Sequence, residues 1–378
     1  MIQYWNYLCE YKNLKKNILN SVDKIFQGGT LLLGNELKKF EKNFCKFNKS
    51  KYGLGVSSGT DALFIALKCL NIGKNDEVIT VSNTAIPTVA AIINTGASVK
   101  FADIGKDYLI DANKISTLIN KKTKAIIPVH LFGQTCDMDK ISNIAKKYKL
   151  KVIEDCAQST GAMYKGKKAG ILGDIGCHSF YPTKILGAYG DGGFLTTNNK
   201  KLYEKMHRFR FYGIDTLGTN KKWKNKYYSI EHGTNSRLDE IQSSILNLKL
   251  KNINFFIKRR RSIAKKYYNG LKNLNIELPL VNKNNFHVFH IFEVAHKKRN
   301  KIIKKMKQKN INLSIHYPYP IHKMSGYKKF VKKNSNHLYE TEKKSKMIFS
   351  LPIYPKMTET DVNYVIQAVK HIVSTNKK

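Results

Sequence analysis

The fold is decided by the stretch GLGVSSGTDALFIALKCLNIGKNDEVITVSNTAIPTVAAIINTGASVKFAD (residues 53–103), in which short runs rich in β-branched residues alternate with helical patterns. The pattern predicts strands at 53–57, 77–82 and 98–103, separated by helices at 60–70 and 87–94. The alternation continues to residue 200, with strands predicted at 124–130, 151–155, 177–180 and 193–197 and helices at 111–120 and 138–148. Strands that alternate with helices of this length form βαβ units. We therefore predict an α/β fold with a mainly parallel sheet.

The pattern changes after residue 235. A helix is predicted at 236–250, and a long basic helical stretch continues to about residue 274. Beyond it, residues 288–294 are strand-like and residues 300–309 are helix-like, which is typical of a smaller α+β unit. We therefore expect a large domain at residues 1–250 and a small C-terminal domain at residues 251–378.

Composition excludes several classes of protein. With 42% apolar and 11% aromatic residues in 378, the chain can form a large core, so it is not a disordered basic segment. No apolar run approaches the roughly 18 to 20 residues that span a bilayer, and the first residues lack the pattern of a signal peptide. The six cysteines are scattered without a CxxC pair, which gives no metal-site spacing. We expect a soluble, reduced, cytoplasmic protein with no metal and no membrane partner.

The formal charge of +40 has two interpretations. The charge could allow the protein to bind a polyanion such as nucleic acid, or it could reflect lysine at solvated positions. Only seven of the 67 basic residues are arginine, the side chain preferred for bidentate phosphate and base recognition. Residues 53–200 carry 18 basic and 12 acidic residues, so most of the excess lies in residues 201–378. The distribution favours solvated lysines, and we expect no nucleic-acid partner.

Two polar features follow predicted strands. Residues 55–61, GVSSGTD, lead from a strand into a helix, where small residues and the helix N-terminus could bind an anion, or where Ser58 or Thr60 could simply cap the helix. Residues 152–158, VIEDCAQ, place carboxylates at the end of an apolar strand. Such an acid could bind a metal, hold a ring nitrogen or lie at the surface. Because ligands bind beyond the carboxyl ends of parallel strands, we expect these features to lie in one site.

Two further features complete the set. Residues 178–184, HSFYPTK, precede the glycine-rich loop 187–193, GAYGDGG, so Lys184 could be a partly buried amine with a lowered pKa that forms a Schiff base, or a solvated lysine in a turn. Residues 233–240, GTNSRLDE, form a polar cluster before a long helix and could be a plain helix cap.

Together these segments resemble the DegT/DnrJ/StrS-type sugar aminotransferases, which are pyridoxal-phosphate (PLP) enzymes of aspartate-aminotransferase-like fold. The resemblance runs from about residue 25 to the C-terminus. It is carried, in order, by SSGTDAL (57–63), NDEVI (75–79), PVHLFGQ (128–134), EDCAQSTGA (154–162), HSFYPTKILGAYGDGG (178–193) and NSRLDEIQ (235–242).

The resemblance implies a role for each site residue. Lys184 would bind PLP covalently and then move the proton between the sugar carbon and C4′ of the cofactor. Asp155 would keep the pyridine nitrogen protonated, and Gln158 would contact the ring hydroxyl. The remaining predicted cofactor contacts are to the phosphate, from Gly59, Thr60 and Ser179 of the same subunit and from Asn235 of a neighbouring subunit. The last contact implies a homodimer with shared active sites.

One position departs from the family. Members usually stack an aromatic side chain on the pyridine ring, whereas Ala85 stands at that position in SNTAIPT (82–88). The lysine at 184 is retained, which argues against the family's dehydratase branch, where histidine replaces it.

The segments NTAIPTVAAI (83–92), HGTNSRLDEIQ (232–242) and IHYPYPIH (315–322) are most similar to enzymes that aminate C3 of dTDP-3-keto-6-deoxyhexoses, with L-glutamate as the usual amino donor. The resemblance suggests Tyr181, His316 and His322 as sugar or pyrophosphate contacts, and each could equally be structural. The alternatives are amination at C4 of a dTDP- or UDP-linked 4-keto sugar, or a non-catalytic regulator that binds nucleic acid.

Overall fold

The computed structural model describes residues 1–219, 227–331 and 338–374, and a seven-stranded sheet organises its larger part. The first elements are α1 (Leu8–Gln27), α2 (Asn35–Asn48), β1 (Tyr52–Val56), α3 (Gly59–Cys69), β2 (Glu77–Val81), α4 (Ile86–Asn94), β3 (Ser98–Ala102), β4 (Thr123–Ile126), α5 (Met138–Tyr148), β5 (Lys151–Asp155), β6 (Met163–Tyr164) and β7 (Lys167–Lys168). The others are β8 (Ile175–Ser179), β9 (Gly193–Thr197), α6 (Lys200–Phe209), α7 (Glu240–Leu250), α8 (Ile253–Leu271), β10 (Asn285–Phe286), β11 (Phe292–Ala295), α9 (Arg299–Gln308), α10 (Ser325–Lys328), α11 (Tyr339–Met347), β12 (Ile348–Leu351) and α12 (Glu359–Ser374). Within the described ranges, none of the helices combines the length and apolar character needed to cross a lipid bilayer.

The large sheet is mixed but mostly parallel, which confirms the predicted fold class. Its strand order is β1-β9-β8-β5-β4-β2-β3. The pairs β3–β2, β2–β4, β4–β5 and β5–β8 are parallel, and β9 runs antiparallel between β8 and β1. Strand β1 is therefore parallel to β8 and β5, and the carboxyl ends of all three strands meet at one edge of the sheet.

The two faces of this sheet are covered by different hydrophobic clusters, because successive side chains of a strand point to opposite faces. Val78 and Ile153 join a cluster with α3 and α4, whereas their neighbours Ile79 and Val152 join a cluster with α5. A separate cluster, drawn from residues 263–373, joins α8, α9 and α12 to the small sheet of β11 and β12. The division of the chain at residue 250 stays a prediction.

The predicted helix at 111–120 is wrong. The structure has two short 3₁₀ turns there, Ala112–Lys114 and Ser116–Leu118. Local side-chain bonds compete with an α-helix at this point: the Asp111 carboxylate accepts a hydrogen bond from the Asn113 amide, and the Thr117 hydroxyl donates to the Lys114 carbonyl.

Some boundaries also differ from the prediction. The strand predicted at 124–130 ends at Ile126, two residues before Pro128, and the one predicted at 288–294 begins only at Phe292, after Phe289 with φ 50°. The helix predicted from residue 236 begins at Glu240, because Asp239 is the residue that caps it. Helices α1 and α2 were not predicted at all.

Glu240, the first residue of α7, caps the start of another helix that is far away in the chain. Its carboxylate accepts hydrogen bonds from the backbone amides of Gly34 (2.8 Å), Glu36 (2.8 Å) and Leu37 (3.1 Å) at the start of α2. The N-cap residue of α2, Gly34, has no side chain for this purpose, and a carboxylate is favoured at a helix N-terminus by the helix dipole. Glu240 thus ties α2 to the start of α7.

Replacing Glu240 with Ala should lower the free energy of unfolding by about 2 kcal/mol, because buried amides at the start of α2 lose a charged acceptor. Urea unfolding followed by circular dichroism measures the change. Glu204→Ala is the matched control, since Glu204 makes only a surface ion pair with Lys200. Equal losses in the two variants would contradict the capping role.

Candidate active site

Asp155 ends β5, Ser179 ends β8, and residues 57–59 follow β1. In the parallel pairing of β5 with β8, Asp155 lies opposite Cys177, two residues before Ser179. Since the carboxyl ends of these strands meet at one edge, the predicted motifs 55–61, 152–158 and 178–184 lie together there. This is the expected place for a ligand in such a sheet.

The Asp155 carboxylate is buried and held on both oxygens. Oδ2 accepts a hydrogen bond of 2.7 Å from the Thr88 hydroxyl, and Oδ1 accepts one of 3.1 Å from the Ala157 amide. The Thr84 hydroxyl lies 3.0 Å from that of Thr88 and extends the network. Thr84 and Thr88 belong to the segment that also contains Ala85, and the sequence analysis assigned them no role. Thr88 could have been predicted from the sequence, because its hydroxyl lies three residues after Ala85, the position where the family has an aromatic side chain.

Lys184 is partly buried in the turn after β8. Its amide donates to the Tyr181 carbonyl at 2.9 Å, and a side-chain Cβ at Gly187 would lie 2.3 Å from the Pro182 carbonyl oxygen, so only glycine closes this loop. Burial lowers the pKa of Lys184 to about 8, and the nearby Asp155 carboxylate opposes that shift. The amine is therefore largely neutral, and nucleophilic, at a pH where other lysines are charged.

The start of α3 forms a narrow cradle. A Cβ at Gly59 would lie 2.7 Å from the Ser179 Cβ, so a larger residue would fill the space between the two segments. Ser58 is used as the helix cap, with its hydroxyl accepting from the Asp61 amide at 3.1 Å. The first amides of the helix, at Gly59 and Thr60, have no partner within the helix and favour an anion.

The segment 235–242 packs against this cradle. The Ser236 hydroxyl donates to the Asp61 carboxylate at 2.8 Å and accepts from the Ser57 amide at 3.1 Å. Asn235 itself is exposed, and its backbone pairs with Phe211. Its contact with the phosphate of a neighbouring subunit stays a prediction. Ser236 lies in the segment predicted as a possible helix cap, and it holds the turn before α3 in place.

Gln158 is buried beside Asp155 and already has two partners. Its Oε1 accepts from the Phe132 amide at 2.9 Å, and its Nε2 donates to the Tyr317 hydroxyl at 2.8 Å. Burial raises the pKa of Tyr317, and the Asp155 charge adds to that shift, so its hydroxyl stays protonated. Tyr317 is not among the predicted site residues, because it is distant from Gln158 in the chain.

The three suggested substrate contacts fall in different places. Tyr181 is 52% exposed next to Lys184. Burial lowers the pKa of His316 to about 4. The Lys184 charge contributes to this shift, so His316 lies near the site. His322 uses both ring nitrogens within the chain, toward the Ser82 hydroxyl (2.8 Å) and the Glu342 carboxylate (3.0 Å). The three substrate roles remain predictions.

His130, Glu154 and Cys156 form the one group of potential metal ligands among the described residues. The His130 Nδ1 accepts from the Cys136 amide at 3.1 Å, and its Nε2 lies 2.9 Å from Glu154. The Glu154 carboxylate also accepts backbone amides from the loop at residues 170–173. These contacts use the lone pairs a metal would need, so the group serves to anchor β5 to that loop.

The donor set fits PLP. Lys184 offers an amine with a lowered pKa, Asp155 a buried carboxylate near it, and the Gly59 turn a cradle for a phosphate. This fold and this combination of residues define a PLP-dependent aminotransferase.

The chain belongs to the DegT/DnrJ/EryC1/StrS aminotransferase family, which matches residues 12–370. It is 40% identical to a dTDP-3-amino-3,4,6-trideoxy-alpha-D-glucose transaminase of Micromonospora megalomicea subsp. nigra, over 98% of both chains. It is 42% identical to a dTDP-3-amino-3,6-dideoxy-alpha-D-galactopyranose transaminase of Aneurinibacillus thermoaerophilus, over 94% of this chain and 95% of the relative. A UDP-N-acetyl-3-dehydro-alpha-D-glucosamine 3-aminotransferase of Acidithiobacillus ferrooxidans is 35% identical, over 96% of this chain and 95% of the relative.

Solved structures agree with the fold. DesV of S. venezuelae in complex with a ketimine intermediate superposes with a TM-score of 0.92, at 32% identity over 98% of this chain and 97% of that one. NtdA of Bacillus subtilis with bound cofactor PMP superposes with a TM-score of 0.87, at 31% identity over 96% of this chain and 82% of that one. PLP is therefore the cofactor of this chain.

The rate at which the cofactor-free chain captures PLP should rise about tenfold per pH unit below pH 8 and level off above it, because only the neutral amine of Lys184 reacts. Stopped-flow absorbance after mixing with PLP, from about pH 6 to about pH 10, measures this profile. In Asp155→Asn the plateau should begin at lower pH, because the anion that raises the lysine pKa is gone. A rate that still climbs at the pKa of a free lysine would show that the amine is solvated.

Thr88→Val should weaken PLP binding about tenfold, because the carboxylate of Asp155 loses a hydroxyl donor. Thr88→Ser keeps the hydroxyl and should bind PLP as the native chain does. Titration of the cofactor-free proteins with PLP gives the two dissociation constants. If the valine and serine variants bind equally well, the hydroxyl does not position Asp155.

Proposed function

We propose that this chain transfers the amino group of L-glutamate to C3 of a dTDP-linked 3-keto-6-deoxyhexose, giving a dTDP-3-amino-3,6-dideoxyhexose. The observation that carries the aminotransferase chemistry is the pairing of a lysine of lowered pKa with a buried carboxylate. The choice of C3 is supported by the relatives, since two dTDP-sugar transaminases and a UDP-sugar aminotransferase are all named for position 3.

Each side chain has one task in this proposal. Lys184 would hold the cofactor and, once released, would take a proton from the amino-bearing carbon of the donor and deliver a proton to the sugar carbon that receives the amino group. Asp155 would keep a proton on the pyridine nitrogen. The Thr88 hydroxyl and the Ala157 amide keep the Asp155 carboxylate in place for this role. When bound, PLP supplies an electron sink for the pair left by the departing proton.

The phosphate would be held by the amides of Gly59 and Thr60 and by the Ser179 hydroxyl, and Gln158 would face the ring hydroxyl. Ala85 offers no ring to stack on the pyridine. The residue is partly buried at the start of α4, next to the Thr84–Thr88–Asp155 network. In this chain the residues of that network would hold the ring through polar contacts at its edge.

The proposal includes a homodimer with shared sites, located in the cytoplasm. Asn235 is exposed next to the buried Ser236, so a partner subunit can receive its amide. Leu31 and Leu32, 50% and 43% exposed, lie near the same segment, since Leu32 pairs with Asp239. Apolar side chains in this position suit a subunit interface.

A panel of keto sugars tests the regiochemistry. We expect the PLP-loaded chain with L-glutamate to aminate a dTDP-3-keto-6-deoxyhexose, with 2-oxoglutarate formed in equal amount and the nitrogen on C3 by NMR of the product. The panel also contains the dTDP- and UDP-linked 4-keto isomers and a UDP-linked 3-keto sugar. Lys184→Ala is the matched control and should form no product.

The outcomes separate the alternatives. Product from a 4-keto sugar alone would replace the proposal with C4 amination, and product from the UDP-linked 3-keto sugar alone would change the nucleotide. No turnover with any sugar, together with salt-dependent binding to duplex DNA, would favour the regulator.

A further inference from the structure

A buried glutamate that the reaction does not use lies behind the site. Glu293 on β11 is 1% exposed, although its neighbours Phe292 and Val294 face the hydrophobic cluster of the C-terminal part. In the antiparallel pairing of β11 with β12 it lies directly opposite Ser350. Its Oε2 is 2.8 Å from the Ser350 hydroxyl, and its Oε1 has no hydrogen-bond partner among the described residues.

Ser350 connects this carboxyl to the candidate active site. The same hydroxyl lies 2.8 Å from Nδ1 of His316, so one oxygen atom joins the carboxyl to the imidazole. The His316 ring is packed against the rings of Tyr4 (5.2 Å between centroids) and Tyr317 (5.5 Å). Within the described part of the chain, its Nε2 has no hydrogen-bond partner.

The surroundings of Glu293 favour a neutral acid. The titratable groups that face it are the phenols of Tyr4, Tyr108 and Tyr317, and none is a cation. Basic side chains on neighbouring elements are directed elsewhere. Arg260 donates through Nη1 to the carbonyls of Phe289, His290 and Ile353, while its Nε has no partner among the described residues, and Lys344 pairs with Glu277. A buried carboxylate without a cation is strongly disfavoured. In agreement, burial raises the pKa of Glu293 well above its ordinary value.

A neutral acid sets the direction of the whole chain of hydrogen bonds. An ionised Glu293 would accept the Ser350 hydroxyl at Oε2, whereas the single O–H of a neutral Glu293 finds an acceptor only when it lies on Oε2, and there it donates to the Ser350 oxygen. Ser350 has one hydrogen, which then goes to Nδ1 of His316. Nδ1 is thereby an acceptor, and a neutral imidazole with an acceptor at Nδ1 carries its proton on Nε2.

We propose that Glu293 is a positioning residue that acts through Ser350 to hold the His316 ring and to keep its proton on Nε2, as a donor for a carbonyl or hydroxyl oxygen of the substrate. Lys184 is close enough to His316 for its charge to contribute to the lowered pKa of the imidazole. The inference rests on the proposed function for the identity of the substrate only. The tautomer can be measured without it.

The tautomer is read by nitrogen NMR of the PLP-loaded chain labelled with ¹⁵N-histidine. The His316 signals are those that disappear in His316→Gln. We expect Nε2 to be protonated and Nδ1 unprotonated in the native chain and in Glu293→Gln, whose amide still donates to Ser350. In Glu293→Val the donor is absent, and the ring should populate the Nδ1–H form.

Kinetics provide a second readout. Glu293→Val and Ser350→Ala should lower kcat/KM for the keto sugar about tenfold, mostly through KM, because one hydrogen bond to the substrate is lost. The conservative Glu293→Gln should restore kcat/KM to within about twofold of the native value. If Glu293→Val does not fold, Ser350→Ala carries the same comparison.

Two results would overturn the proposal: a native His316 protonated on Nδ1 or on both nitrogens, or a tautomer and KM that do not change in Glu293→Val and Ser350→Ala. A native chain that aminates no keto sugar would instead refute the proposed function, and the NMR measurement would still decide the tautomer. The two failures are therefore distinguishable.

Discussion

The site depends on the segment at residues 236–242, which holds three separate parts of the chain in register. Ser236 bonds the turn before α3, and Leu238 fills the space left by Gly55 and Gly192, where a Cβ would lie 3.0 Å from its side chain. Glu240 caps α2, and the Gln242 Oε1 accepts from the Tyr189 amide in the glycine-rich loop after Lys184. Loops need partners for their backbone polar groups, and this segment supplies them.

Within this arrangement, the reactivity of Lys184 depends on two opposing effects on its pKa, which burial lowers and the Asp155 carboxylate raises. Burial alone would push the Lys184 amine toward the neutral form, and Asp155 limits this. Asp155 itself is fixed by Thr88 from α4 and by the Ala157 amide that follows it. Thr88 lies in the helix after β2, Asp155 ends β5 and Lys184 follows β8, so the reactive pair exists only when the parallel sheet is assembled.

The net charge of +40 contributes little to this site. Residues 53–200 contain most of the site residues and a net charge of only +6. Lys184 differs from the other 59 lysines by its environment and not by its charge, since it lies near Asp155 in a partly buried turn closed by Gly187. The scarcity of arginine agrees with a small phosphate ligand held by backbone amides.

The amino-acid sequence by itself determined the α/β class, six of the strand positions to within two or three residues, and the family, because period-2 and period-3.6 patterns and the contiguous motifs around Asp155 and Lys184 are local. It also placed the turn at Gly59 at the start of α3, and anion binding by this turn stays a prediction. Helices α1 and α2, the 3₁₀ turns after residue 111 and the start of α7 at Glu240 escaped it. Side-chain contacts decide the 3₁₀ turns and the start of α7, and the start of α2 is capped by the distant Glu240.

Only the tertiary structure brought Thr88, Tyr317 and Ser236 to the site, and only it revealed the line from Glu293 through Ser350 to His316. Thr88, Ser236, His316 and Tyr317 lie in segments that carry the resemblance, whereas Glu293 and Ser350 lie in none. All of them are separated from their partners by tens to hundreds of positions in the chain. The physical reason is that a hydrogen bond depends on distance in space. A sequence pattern records only the neighbours along the chain.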